Sequence, residues 1–133
     1  VLGGSLPPGI PDTFYGTLTR AFVRRQIRVA VDAEGDALQL AVKERPFLIK
    51  PNIHELAGLA GKRSLTPGEA VTVARRLNEQ GVEIVIVSMG MRGAIVVSGQ
   101  EAWRATVPHV RVASAIGAGD SLVGGFLQGW HEG

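Results

Sequence analysis

The sequence contains no cysteine among its 133 residues. That excludes a disulfide scaffold, a cysteine-ligated zinc site and a thiol nucleophile. Aromatic residues amount to only 5%, too few for an aromatic-rich recognition surface. No apolar run approaches the roughly 20 residues of a membrane span, and Val1–Gly9 lacks the basic region of a signal peptide. An excess of one charge is missing too. Fourteen Lys and Arg stand against 12 Asp and Glu, a net charge of +2, and charge mixed so evenly leaves no footprint for nucleic acid. Neither nucleic acid nor a membrane is an expected partner, and the expected setting is soluble and cytoplasmic.

What is present is an ordinary globular mixture, 45% apolar and 20% charged, at the length of one domain. Glycine is plentiful, with 18 residues, which suits an aliphatic core joined by tight turns. Arg20, Arg24, Arg25 and Arg28 share much of one helical face, readable as a solvated face or as an anion patch. The chain opens on Val1-Leu2-Gly3-Gly4, like the end of a buried strand, and closes on a helix end where a parallel sheet expects another strand. The expectation is a piece of a longer protein.

The recurrence of Phe14, Leu18 and Phe22 predicts a helix from Pro11 to about Gln26 with that stripe inward. Ile27–Ala33 reads as a short strand ending at Asp32. A helix over 35–44 carries Ala37, Leu38 and Ala41, and the strand Phe47–Ile49 stops at Pro51. Asn52 with Glu55, and Thr66 with Glu69, have the spacing of capping boxes, the second with Pro67 at the first helical position. The helix after Thr66 puts Ala70, Val73, Ala74 and Leu77 on one face and ends at Gly81. Glu83–Val87 is a strand whose four branched residues argue burial on both faces. Ser88–Gly93 is a turn; Ala94–Ser98 and Glu101–Thr106 form a hairpin about Gly99-Gln100. A short strand at Val110–Val112 and a last helix to about Trp130 complete the chain. This alternation predicts an α/β fold, a mainly parallel sheet with a β-hairpin at one side.

Gly117-Ala118-Gly119 runs straight into the last helix, followed at once by Asp120. Unpaired backbone N–H groups there converge at the positive end of a helix dipole, and small residues leave room for an anion. A plain turn with a helix-starting Asp remains the alternative. Gly124, Gly125 and Gly129 within one helix cost about 1 kcal/mol each relative to alanine. They suggest a close approach of backbone to something, the sheet or a nucleotide. Other glycine motifs fail. Leu122 stands where a dinucleotide fingerprint needs its third glycine, no glycine-loop Lys-Ser/Thr exists, and Gly58 stands where a zinc helix needs its second His.

Asn52 and Glu55 read as a capping box or as a carboxylate and amide that hold Mg²⁺ through waters at a strand end. Lys50 beside them supplies positive charge for phosphate. Asp32, Ser5, and the loop Ser88 to Gly93 with its Gly90-x-x-Gly93 also follow strand ends. Parallel sheets bind ligands at that edge, so the joint occurrence of these residues at one rim matters more than any single member.

Together these residues resemble the ribokinase-like, or PfkB, carbohydrate kinase family. The carriers are Lys50-Pro51-Asn52-Ile53-His54-Glu55, Ser88-Met89-Gly90-Met91-Arg92-Gly93 and Ile116-Gly117-Ala118-Gly119-Asp120-Ser121, and Gly4–Gly9 resembles the phosphosugar branch. The resemblance implies a three-layer αβα fold, here a single partial kinase core over 1–133 without the N-terminal sugar and lid region and the C-terminal end. It implies ATP-dependent phosphotransfer to a sugar phosphate of the fructose 1-phosphate kind. Asp120 is then the catalytic base, and Gly117, Ala118 and Gly119 neutralise the transferring phosphoryl group. Asn52 and Glu55, assisted by Asp32, organise Mg²⁺ and the ATP phosphates. Lys50, Ser88, Gly90 and Gly93 contact the nucleotide, and Ser5 helps hold the substrate phosphate. A homodimer of the intact parent stays open. The alternative is a non-catalytic sugar- or nucleotide-binding module of the same fold, against which the retained Gly117-Ala118-Gly119-Asp120 argues.

Overall fold

The computed structural model describes residues 1–106 and 118–132. Among these residues one six-stranded sheet runs in the order β1 (Leu2–Gly3), β2 (Ala30–Asp32), β3 (Leu48–Ile49), β4 (Ile84–Ser88), β5 (Ala94–Ser98) and β6 (Glu101–Ala105). The first four strands are parallel and the last two antiparallel. Helices α1 (Phe14–Val23), α2 (Gly35–Val42), α3 (Ile53–Leu59) and α4 (Pro67–Glu79) link the parallel strands, and α5 (Ala118–Glu132) comes after the hairpin.

Parallel strands laid down in sequence order through crossovers of one hand put their helices on one face. Alternation along the strands divides the core accordingly. Val31, Ile49, Val85, Val87, Ile95 and Val97 join Leu38, Leu56 and Leu77 from α2, α3 and α4. Ala30, Leu48, Ile84, Ile86 and Ala94 join Val123 of α5 on the other face. The result is the expected three-layer α/β arrangement with its hairpin. Among the described residues no helix is long and apolar enough to cross a membrane. The short strand expected at Val110–Val112 lies outside the described residues.

Both predicted capping boxes form. Asn52 Oδ1 accepts from the backbone N–H of His54 and Glu55, while Glu55 Oε2 accepts from Asn52 N at 2.8 Å. Thr66 and Glu69 make the same reciprocal pair. Those bonds, with Lys62 nearby, hold the Glu69 carboxyl below its ordinary range, the backbone N–H of Thr66 contributing most.

Several boundaries differ from the sequence expectation, that of α1 among them, which runs Phe14–Val23. The strand read as Ile27–Ala33 begins only at Ala30. Gln26 turns into the left-handed region at φ 59° and Ile27 N donates back to Phe22 O, so residues 24–27 close α1 instead of extending the strand. Helix α2 stops at Val42; Pro46 disfavours α-geometry at Arg45, which takes φ 56°.

The inward stripe of α1 also differs. Phe14 is exposed, and the buried residues are Tyr15, Gly16 and Thr19. A Cβ on Gly16 would stand 3.3 Å from Leu40 O, so α2 backbone approaches α1 closely and small residues face the contact. The helix rotates to suit, leaving Phe14 outside and Tyr15 inside. Thr19 is fully buried, and its hydroxyl has no partner among the described residues. Thr19→Val keeps the shape and removes the orphaned group; the expected gain is about 1 kcal/mol in chemical denaturation. A loss of that size would mean that the hydroxyl is satisfied.

The arginines do not form one anion patch. Arg20 Nε donates to Glu44 Oε2 at 3.0 Å across α1 and α2, and this bond draws the Glu44 carboxyl below its ordinary range. Arg28 lies 4.9 Å over the Phe47 ring, a stacking contact. The α5 glycines bring a further correction. Gly124, Gly125 and Gly129 are exposed, and a Cβ on any of them would meet nothing within 4 Å among the described residues. Tight packing on the sheet does not explain them, because the sheet-facing residues of α5 are Leu122, Val123, Phe126 and Leu127.

Candidate active site

Parallel strands bring their C-terminal ends to one edge, and β1 to β4 each hand over a candidate residue there. Gly4 follows β1 at φ 93°, and its N–H donates to Asp32 O at 3.1 Å. The Tyr15 hydroxyl donates to the carbonyls of Gly3 and Gly4 at 2.9 and 3.0 Å, which pins this turn to α1. Ser5 is therefore delivered beside β2, where its hydroxyl donates to Glu34 Oε1 at 3.2 Å.

Asp32 closes β2, and Lys50 follows β3. Lys50 is buried, yet its Nζ lies 3.1 Å from Asp32 Oδ1. The pair forms because β2 and β3 run parallel with Val31 opposite Ile49. Asn52 and Glu55 follow on the same loop. Asn52 bridges to Ser88 at the end of β4, and Ser88 N donates to Pro51 O at 3.0 Å. The ends of β3 and β4 are thus laced together.

A shallow cleft of about 170 Å³ opens at this edge, lined by Gly4, Ser5, Asp32, Ala33, Glu34 and Glu55. It unites Ser5, Asp32 and Glu55 from three strand ends. Lys50 stands behind Asp32, outside the lining. A larger groove, about 470 Å³ between α2 and α4 and lined by Val42, Lys43, Arg45, Glu79, Gln80 and Gly81, lies at the opposite end of the strands and gathers none of the candidate residues. Sequence reasoning missed Glu34 and Tyr15. Glu34 stands two residues beyond Asp32, a spacing that signals the same cleft.

The Ser88–Gly93 turn is a short 3₁₀ turn over Gly90–Arg92, closed by Met89 N donating to Gly93 O at 2.8 Å. Gly90 and Gly93 both have positive φ, 59° and 85°. Gly117 lies outside the described residues. Ala118, Gly119 and Asp120 form the first turn of α5. The far end of that helix sets its direction. Trp130 meets Phe47, just before β3, edge-on at 6.1 Å between centroids, so α5 runs counter to β3 and opens toward the edge where the strands end.

The donors suit magnesium and phosphate better than a softer metal, since the groups are carboxylate, amide and hydroxyl. Among the described residues no three His, Asp or Glu side chains converge on one point. A divalent ion here would rely largely on waters and phosphate oxygens, which is magnesium's habit. The Asn52 oxygen is occupied by two backbone donors, which leaves its NH₂ as the group open to a ligand.

The family model of the pfkB family carbohydrate kinases matches residues 1–133. The chain belongs to this family. The PfkB chain is 41% identical to the 1-phosphofructokinase of Bacillus subtilis over 129 residues, 97% of this chain and 43% of that protein. It is 45% identical to the 1-phosphofructokinase of Rhodobacter capsulatus over 127 residues, 95% of this chain and 40% of the relative. Among solved structures, phosphofructokinase-2 of Escherichia coli in complex with substrates and products matches with a TM-score of 0.89 and 33% identity, covering 98% of this chain and 43% of that one. The chain thus spans less than half the length of these relatives. The resemblance in its motifs holds, and the ribokinase-like fold with it.

Proposed function

We propose that these residues are the phosphate-handling core of an ATP-dependent kinase that phosphorylates a hydroxyl of a sugar phosphate, with fructose 1-phosphate as acceptor and fructose 1,6-bisphosphate as product. The observation that carries this is the convergence of Ser5, Asp32, Glu55 and the Asn52–Ser88 bridge on one sheet edge in a chain of the PfkB family. Similarity over nearly all of this chain to two proteins named 1-phosphofructokinase, of which it spans 43% and 40%, supports the choice of acceptor. ATP and a sugar phosphate place the work in the cytoplasm.

In this reading Asp120 accepts the proton of the attacking hydroxyl. Backbone N–H groups of Gly117, Ala118 and Gly119, at the head of α5, face the charge that builds on the transferring phosphoryl group. Mg²⁺, when bound with ATP, supplies charge neutralisation at the phosphates. Glu55, whose Oε1 is not used in the cap, and Asp32 hold it through waters, and the Asn52 NH₂ donates to a phosphate oxygen. The Ser88–Gly93 turn borders the nucleotide, and the Ser5 hydroxyl meets the phosphate of the acceptor. Such a site works by positioning and electrostatics, which suits phosphoryl transfer.

The test is ADP release by the intact protein with fructose 1-phosphate, fructose 6-phosphate, tagatose 6-phosphate and ribose. The highest kcat/KM is expected with fructose 1-phosphate; turnover with ribose alone would overturn the phosphosugar assignment. Asn52→Ala removes both acceptor bonds of the cap. It should cost about 1–2 kcal/mol of stability by denaturant unfolding and raise the KM for ATP more than that for the sugar phosphate.

A further inference from the structure

Glu34 is the N-cap residue of α2, with extended backbone at φ −126° and ψ 165°, yet its side chain makes no cap hydrogen bond. N-caps favour Ser, Thr, Asp and Asn, whose short side chains reach the N–H groups of the first turn. A glutamate there does not serve the helix. Its carboxylate reaches instead toward the turn after β1, where Oε1 accepts the Ser5 hydroxyl at 3.2 Å. Both residues are exposed and line the same cleft.

Backbone contacts set up this meeting. Gly3 lies opposite Asp32 in the β1–β2 register, and Gly4 N donates to Asp32 O at 3.1 Å. From the other side the buried Tyr15 donates its hydroxyl to the carbonyls of Gly3 and Gly4. Ser5 therefore leaves a turn that is fixed on two sides, with its hydroxyl within reach of Glu34. A serine hydroxyl has one proton to donate, and an ionised carboxylate can only accept. A phosphate dianion likewise only accepts. A phosphate that meets Ser5 must take the hydrogen bond that Glu34 holds, and the carboxylate then stands beside it as a like charge.

We propose that Glu34 is a positioning residue that competes for the Ser5 hydroxyl and so loosens the hold on the acceptor's phosphate. The inference rests on the kinase reading, in which Ser5 meets that phosphate, and adds to it a built-in competitor. Fructose 1-phosphate and fructose 1,6-bisphosphate both carry the phosphate in question. Glu34 weakens the two alike, which favours release of the product. The nucleotide, held by other residues of the rim, is left unaffected.

The experiment uses the intact protein and its E34A, S5A and S5A/E34A variants; both replaced side chains are exposed, so neither change opens a cavity. KM values for fructose 1-phosphate and ATP come from ADP release, and affinities for fructose 1-phosphate and fructose 1,6-bisphosphate from calorimetry. E34A should tighten both sugar phosphates about fivefold, the worth of one exposed charge-assisted contact. Its KM for ATP should stay within about twofold of wild type, and S5A should weaken both sugar phosphates. S5A/E34A should match S5A within about twofold, because Glu34 has no hydroxyl left to hold. A glutamate with a structural role alone would not tighten binding. Unchanged or weaker sugar-phosphate binding in E34A overturns the inference while the kinase reading survives. So does a gain that persists in full without Ser5, or an S5A variant that binds as tightly as wild type. An intact wild-type protein that releases no ADP with fructose 1-phosphate removes the kinase reading as stated and this inference with it.

Discussion

Asp120→Asn in the intact protein should lower kcat by about 10²–10⁴-fold, the range that a positioned general base contributes. The affinity for ATP should stay within about twofold, because asparagine keeps the shape and polarity of the side chain while losing the ability to take a proton. The measurement is steady-state ADP release alongside equilibrium nucleotide binding. Full activity in the variant would remove Asp120 from the chemistry.

The size of this effect follows from a tension at the site. A carboxylate in the first turn of a helix is favoured in its charged form, so an aspartate there is a weak base. Helix α5 opens at Ala118 and runs for 15 residues, long enough for its dipole to be felt. Weak basicity is tolerable because the loose transition state of phosphoryl transfer asks little of the base until the O–P bond is forming. In the proposed site the same helix N-terminus would face the phosphoryl oxygens. Loss of the carboxylate should therefore appear in kcat with little change in KM for ATP.

Local signals were legible and tertiary ones were not. Both capping boxes could be read from three-residue spacing because each is closed within a single turn. The parallel order of β1 to β4 followed from alternation of strand and helix. In contrast, the face that α1 buries depends on where Leu40 backbone lies, and no periodicity in 14–23 contains that information. The start of β2 was misread because a left-handed Gln26 cannot be told from an extended one by residue type. At the rim, Asp32 and Lys50 were each visible at a strand end. That they pair required the register of β2 on β3. Glu34 enters the cleft only because β1 lies beside β2.

Gly93→Ala should cost at least about 3 kcal/mol of stability, among the larger effects of a single substitution and a sizeable part of a typical 5–15 kcal/mol. Two causes add. Gly93 sits at φ 85° and ψ −142°, a backbone region that costs a side chain about 1–3 kcal/mol. A Cβ there would also stand 1.9 Å from Ala105 O and 2.9 Å from Ala105 C, both backbone atoms of the strand paired with β5. Neither can swing aside, so β6 must separate from β5 at the Ala94–Ala105 pair. Gly90→Ala supplies the control. It has positive φ, 59°, but nothing among the described residues within 4 Å of a Cβ, so only the left-handed penalty of about 1–2 kcal/mol applies. Denaturant unfolding of the two variants separates strain from collision, and equal losses would show that the contact with Ala105 is absent. The difference should extend to function. Gly93 O accepts the Met89 N–H that closes the turn after Ser88, so a displaced Gly93 moves the loop that the proposed site sets beside the nucleotide, and its KM for ATP should rise well beyond that of Gly90→Ala.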